Sequence, residues 1–284
     1  MNIKTSIVVL LIFQATALSQ SKTSFDVETQ GGYEYNYFKS PTQILQNGAL
    51  LTEEDLIASS IYQDVNLDFD YTFSWQKSRF RFSISPGARL FYENFDDSYW
   101  NLITRAKYDY DLTRRTRFLA EINFRRMNRE GLDGAQDVLI NPLGYTNYGA
   151  STGVSFRPFK YNRTTTELFY NFRNFDQFGI RDLEFHEFGI NLKTEQRFKV
   201  NNLTHRYGLE GYFKKRLYDT FNASDVVPNG DRDWSYVKLN PYYEFPLSKT
   251  FKAIPSFLYY LRIDNLEDRS GFSQFGPELK LRYR

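Results

Sequence analysis

The chain has 284 residues, with 36 Lys and Arg against 34 Asp and Glu, and a formal net charge of +2. That balance offers no basic surface for nucleic acid. The absence of cysteine excludes disulfides, cysteine-ligated metals and a lipid anchor on cysteine.

Residues 1–19 read as a secretory signal. Lys4 supplies the positive start, Ile7 to Phe13 is an unbroken apolar run, and Ala17-Leu18-Ser19 offers a small-x-small cleavage site before Gln20. The run is too short to cross a bilayer as a helix, and no other segment approaches the roughly 18 apolar residues such a helix needs. Residues 20–284 carry no linker, charge block or low-complexity tract, so one domain is expected. Mean hydropathy is negative, at −0.56, yet the chain holds 22 Tyr, 27 Phe and 3 Trp. Alternation reconciles the two.

Twelve stretches alternate apolar with polar residues, the signature of strands whose successive side chains turn to opposite faces. The first sets Phe25, Val27, Tyr33, Tyr35 and Tyr37 against Asp26, Glu28, Glu34 and Asn36. The second, about 60–75, sets Val65, Leu67, Phe69, Tyr71, Phe73 and Trp75 against Asp64, Asn66, Asp68, Asp70, Thr72 and Ser74. A tight turn at Gln76-Lys77-Ser78 leads to a third, with Phe80, Phe82, Ile84, Ala88 and Leu90 opposed to Arg79, Arg81, Ser83, Ser85 and Arg89. The fourth opposes Trp100, Leu102, Ala106, Tyr108 and Tyr110 to Asn101, Arg105, Lys107, Asp109 and Asp111. In the fifth, Phe118, Ala120, Ile122 and Phe124 oppose Arg117, Glu121, Asn123 and Arg125.

The sixth runs from about 145 to 159 and turns at Lys160 to Arg163. The seventh carries Leu168, Tyr170 and Phe172, and the eighth Phe188, Ile190 and Leu192. The ninth follows Asn201-Asn202 and carries Tyr207, Leu209 and Phe213. The tenth carries Val237, Leu239, Tyr243 and Phe245, the eleventh Phe251 to Ile263, and the twelfth Phe275, Leu279, Leu281 and Tyr283. Long connections fall at about 39–58, 128–144 and 216–232, and short turns alternate with the longer loops. Pro86, Pro158, Pro241, Pro255 and Pro277 all fall on the apolar phase. Proline cannot donate to a ladder, so these positions are expected to be bulges or strand ends near a rim.

The expected fold is all-β: a closed antiparallel transmembrane β-barrel of about 12 strands, with short periplasmic turns and longer extracellular loops. On this alternation and loop rhythm the mature chain resembles a Gram-negative outer-membrane β-barrel of porin-like type. Twelve strands is also the size of oligogalacturonate- and sialic-acid-type porins, and that resemblance implies lumen arginines that guide acidic sugars. The likeness is architectural and rests on no family motif. One departure stands out: such barrels commonly end on an aromatic residue, whereas this chain ends Tyr283-Arg284.

The polar phase would face the lumen. Its first two strands carry an acidic wall of Glu28, Glu34, Asp64, Asp68 and Asp70. The next three carry a basic wall of Arg79, Arg81, Arg89, Arg105, Lys107, Arg117 and Arg125. Opposed walls create a transverse field that orients charged solutes, and guanidinium groups suit carboxylates and phosphates. Pairing competes with this reading. The short turns set Asp111 near Arg117, Lys107 near Glu121, Glu195 near Arg206 and Glu244 near Lys252. Bases outnumber nearby acids around Arg79, Arg81, Arg89 and Arg105. Inward aromatics at the outer mouth, namely Tyr62, Phe91, Tyr99, Tyr212, Trp234 and Tyr236, brace the loops or stack on sugar rings.

Enzymatic chemistry is not expected. His186 and His205 fall on the outward phase, and neither sits in a His-x-Ser pair. Carboxylates at Glu53, Glu54 and Asp55, or at Asp96 and Asp97, give only a weak calcium signal. The expectation is a passive, cofactor-free channel for small hydrophilic anionic solutes in the cell outer membrane. Its surroundings would be membrane lipid, lipopolysaccharide and, during biogenesis, the barrel-assembly machinery. The alternative is a structural barrel, its lumen closed by ion pairs, that serves other envelope proteins.

Overall fold

The computed structural model describes residues 20–36, 43–46, 49–52, 57–128, 144–176, 184–218, 231–248, 250–267 and 271–283. Residues 1–19, which the sequence leads one to expect as a secretory signal, and the carboxylates Glu53 to Asp55 lie outside them. The described residues are almost wholly β. Strands β1 (Gln20–Glu34), β2 (Ile44–Gln46), β3 (Ala49–Leu51), β4 (Ser60–Trp75), β5 (Ser78–Phe91), β6 (Tyr99–Asp111) and β7 (Thr116–Asn128) form the first half. The second half holds β8 (Tyr145–Phe156), β9 (Asn162–Phe175), β10 (Glu184–Val200), β11 (Leu203–Tyr218), β12 (Arg232–Pro246), β13 (Phe251–Asp264) and β14 (Phe272–Tyr283). The short β2 and β3 pair only with each other, and a 3-10 turn at Phe95–Asp97 precedes β6.

The other strands form one 12-stranded antiparallel sheet in the order β1-β4-β5-β6-β7-β8-β9-β10-β11-β12-β13-β14. Every strand pairs with its nearest long neighbour in sequence, so the topology is an unbroken meander. The turns after β4, β6, β8, β10 and β12 lie at one end, and the strand ends that flank the longer intervals, such as Glu34 and Ser60 or Tyr218 and Arg232, lie at the other. The tight turns use the left-handed backbone that Asn tolerates: Asn201 and Asn202 have φ of 49° and 62°. Among the described residues no hydrogen bond joins β1 to β14, so the ladder itself does not close the sheet.

The prolines correct one expectation. Pro158 lies in the turn after β8, as a strand-end residue should. Pro86, Pro241 and Pro255 are not bulges. The β4–β5 ladder skips from Asn66↔Gly87 to Phe69↔Ile84, and the β12–β13 ladder skips from Leu239↔Tyr259 to Tyr242↔Ser256 and then to Phe245↔Ala253. Pairing resumes in the same register after each gap. Long strands anchored on both sides hold register by their side-chain pattern, so the missing donor costs a ladder bond and no residue is extruded.

Candidate functional site

Burial is inverted relative to a water-soluble protein. Large apolar residues of one sheet face lie open, among them Ile122 at 63 % and Leu168 at 58 % exposure. On the opposite face the charged residues Asp109, Glu187, Glu195 and Glu244 are buried. Apolar groups normally leave water and ionised ones stay in it. The polar face of this sheet is therefore its interior, and any candidate site lies there.

The sheet curls enough for distant strands to line one cavity of about 460 Å³ near the short-turn end. β5 contributes Arg79 and Arg81, β6 contributes Lys107 and Asp109, and β7 contributes Arg117. Across the space, β9 contributes Arg163 and Glu167, and β10 contributes Lys193, Glu195 and Arg197. Seven cations thus face three carboxylates. A neighbouring cavity shares Arg163, Glu195 and Arg197 and adds Arg157, and another beside it adds Arg114 and Arg115. The short-turn mouth is therefore strongly cationic.

Most of these cations hold a carboxylate. Arg81 Nη2 lies 2.6 Å from Asp109, Arg117 Nε 2.6 Å from Asp111, and Arg197 Nη2 2.6 Å from Glu195. Arg105 and Lys107 share Glu121 at 3.1 and 3.4 Å, and Lys193 pairs with Glu210. All four pairs expected from the short turns are present, since Arg206 reaches Glu195 at 3.6 Å and Lys252 pairs with Glu244. Arg79 and Arg163 differ. Neither forms an ion pair among the described residues, and Arg163 donates from Nε to the Ser155 hydroxyl at 3.1 Å. Around Arg81 and Arg89 the expected surplus of bases is neutralised by partners on neighbouring strands, whereas Arg105 and Lys107 have one carboxylate between them.

The acidic wall splits. Asp64 and Glu34 both close on Arg89, at 2.7 and 2.8 Å, and Asp68 accepts a hydrogen bond from Ser85. Glu28 and Asp70 are exposed and form no ion pair among the described residues. At this end Phe91 is fully buried against Ala58, Tyr62 and Tyr99, and the Arg89 guanidinium lies 4.4 Å over the Tyr62 ring. Loop residues and mouth aromatics share one small core there.

Farther round, cations and rings alternate strand by strand. Arg125 on β7 and Arg173 on β9 lie 5.6 and 4.2 Å from the Tyr145 ring on β8. Arg173 and Arg216 flank Phe185 on β10 at 5.2 and 4.2 Å. Arg262 on β13 sits between Trp234 on β12 and Phe272 on β14, at 4.8 and 4.6 Å. Tyr236 receives Lys214 at 4.8 Å, and Tyr212 receives it at 5.2 Å. Each such contact stabilises by about 0.5–1 kcal/mol where exposed. Glu187 anchors the row, bound by Lys214 and Arg216 at 2.9 and 2.6 Å.

β8 is the thin part of the wall. Its polar face carries Asn147, Gly149, Ser151, Gly153 and Ser155, all short. A methyl group at Gly153 would run into the Thr166 carbonyl of β9, so the two backbones need glycine to approach this closely.

Both histidines lie on the apolar face. His186 stacks on Phe172 at 4.7 Å, with Nδ1 2.8 Å from the Tyr170 hydroxyl. His205 is buried, stacks on Phe198 at 5.2 Å, and sets Nδ1 2.8 Å from the Tyr243 hydroxyl. The two clusters sit at opposite ends of β10, near the loop end and the short-turn end. Among the described residues, no group of three or more His, Cys, Asp or Glu is placed to hold a metal ion.

Sequence reasoning reaches Glu195 but leaves out Arg163 and Arg197 on the β9–β10 side of the cavity. Lys160 to Arg163 reads as a turn, and Arg197 falls near a strand end where alternation fades. Extending the alternation to the last residues of each strand would have found both. No protein-family model matches the chain, and no curated protein is significantly similar to it.

Proposed function

We propose that the chain closes into a 12-stranded transmembrane barrel and serves as a passive outer-membrane channel for small hydrophilic anions. The observation that carries this reading is the inverted burial: an apolar, solvent-open face backs a face of buried, hydrogen-bonded charge. Hydrocarbon is the medium that makes such a surface stable, and a sheet in hydrocarbon must leave no edge unpaired. The two aromatic–histidine clusters give the right scale. From His186 to Phe198 along β10 is about 40 Å at a strand's rise per residue. At a tilt of about 40° this is about 30 Å in height, close to the hydrocarbon thickness.

Anion preference follows from the cavity. Arg79 and Arg163 face it from opposite walls and form no ion pair among the described residues, and five further cations line it. Fixed positive charge in a low-dielectric tube lowers the barrier for anions and raises it for cations. Translocation follows the gradient and needs no bond making. Purified protein in planar bilayers should give discrete conductance steps with a reversal potential on the anion side. Silent bilayers would refute the channel.

A second reading is favoured by the density of ion pairs on β10 to β13. Glu187, Glu195 and Glu244 each bind two cations. A lumen closed by such pairs makes a structural barrel that holds an envelope partner. Absence of conductance together with co-purification of a second envelope protein would select it.

A further inference from the structure

The two terminal strands of the sheet are the least satisfied part of the molecule. Every residue of β14 except Gly276 and Arg282 is exposed, and nearly all of β1 is exposed as well. Asp26 and Glu28 on the polar phase of β1 form no ion pair among the described residues. The same holds for Lys280 and Arg282 on the polar phase of β14. Pro277 adds a further mark. Its ladder to β13 runs without a gap, through Phe257↔Pro277. Its missing N–H therefore faces the free edge.

We infer that β14 is the partner of β1 in the same chain, in a register that places Asp26 opposite Arg282 and Glu28 opposite Lys280. This deepens the closed-barrel part of the proposed function and rests on it. Three independent constraints meet in that register.

The first is side-chain phase. Charged faces must match across the seam, which restricts the possible registers to steps of two residues.

The second is stagger. A line of directly opposed partners leaves Gln20 on β1 through Ser74, Arg79, Asp109, Leu119 and Gly153. It continues through Glu167, Asn191, Tyr212, Lys238 and Tyr260 and arrives at Gln274 on β14. In the inferred register Gln274 faces Glu34, about fourteen residues along β1 from the start of the line. A shift of about fourteen around twelve strands tilts them by about 39°, inside the range of about 35–45° found for barrels. A shift of about twelve sits at the lower limit of that range, about sixteen still falls inside it at about 42°, and about ten falls outside it.

Charge is the third. A shift two residues shorter sets Glu28 against Glu278. Two residues longer, Lys280 faces the neutral Gln30. Only the inferred register gives each of the four charges an opposite partner among the described residues. Opposite charges facing each other across strands are favourable and like charges are not. On the apolar face the same register pairs Phe25 with Tyr283, Val27 with Leu281 and Tyr33 with Phe275. It sets Pro277 against Gly31, where the seam lacks one ladder bond, as the ladders beside Pro86 and Pro241 already do.

The chain has no cysteine, so cross-linking reads the seam directly. Gln30→Cys would be combined in turn with Glu278→Cys, Lys280→Cys and Gly276→Cys in the full-length protein in outer-membrane vesicles, then oxidised. Gln30→Cys with Asp64→Cys, an observed opposed pair, reports correct assembly. The inferred register predicts several-fold more intramolecular product for Gln30/Glu278 than for the pairs two residues away. Maximum product at a neighbouring pair would overturn it, as would a product linking two chains, or no product while the Asp64 control links. Glu28→Lys and Lys280→Glu should each lower the Gln30/Glu278 product, and the double exchange should restore it. Cross-linking does not depend on conductance, so a correct seam in a silent barrel would leave this inference standing and remove only the channel.

Discussion

Arg89 grips Asp64 with two prongs: Nε and Nη2 each lie 2.7 Å from a different carboxylate oxygen. The residues are directly opposed on β4 and β5, and the third nitrogen reaches Glu34 on β1. One side chain therefore fastens three neighbouring strands at the loop end. Arg89→Ala leaves two carboxylates facing each other without their cation. It should lower stability by about 1–3 kcal/mol, measured by urea unfolding of the detergent-folded protein. An unchanged midpoint would deny the clamp any role.

Arg79→Glu and Arg163→Glu should each move the reversal potential toward cations, and together more than either alone. Arg81 already holds Asp109, so Arg81→Gln should shift selectivity less than Arg79→Gln. Equal shifts at both positions would show that pairing does not set the effective charge of the lumen.

Ile122→Lys and Leu168→Lys place a charge in the middle of the exposed apolar face. In a bilayer each should cost about 2–4 kcal/mol. In water the same changes would be nearly neutral. Folding into vesicles, scored by resistance to heat denaturation in detergent, separates the two cases. Asn123→Lys on the polar face of the same strand is the comparison.

His205→Phe should preserve the stack on Phe198 and remove the bond to Tyr243. His205→Ala should remove both. Leaving the Tyr243 hydroxyl without its partner costs about 1–3 kcal/mol, so the Phe variant should fall between wild type and Ala in denaturant midpoint. If both variants match wild type, the cluster does not brace the rim.

The strands were legible because one rule governs them. A period of two holds from Asp64 to Trp75, and Asn201-Asn202 marks a turn as clearly as any residue pair can. Partners one hairpin apart were legible for the same reason: the turn fixes which residues face each other, as with Asp111 and Arg117. What spans the interior was not. Arg163 meets the Arg79 side of the cavity only because the sheet curls, and curl leaves no trace in periodicity. The prolines misled in a related way. Pro86 suggests a local distortion, whereas side-chain pattern on both flanks keeps the register.

The short residues on β8 have one more consequence. Long arginines and lysines crowd the walls on either side, while Asn147 to Ser155 leave theirs almost bare. Free passage through a closed form of this sheet would therefore be eccentric, pressed against a single flank, and a flat molecule would travel it more easily than a round one of equal volume.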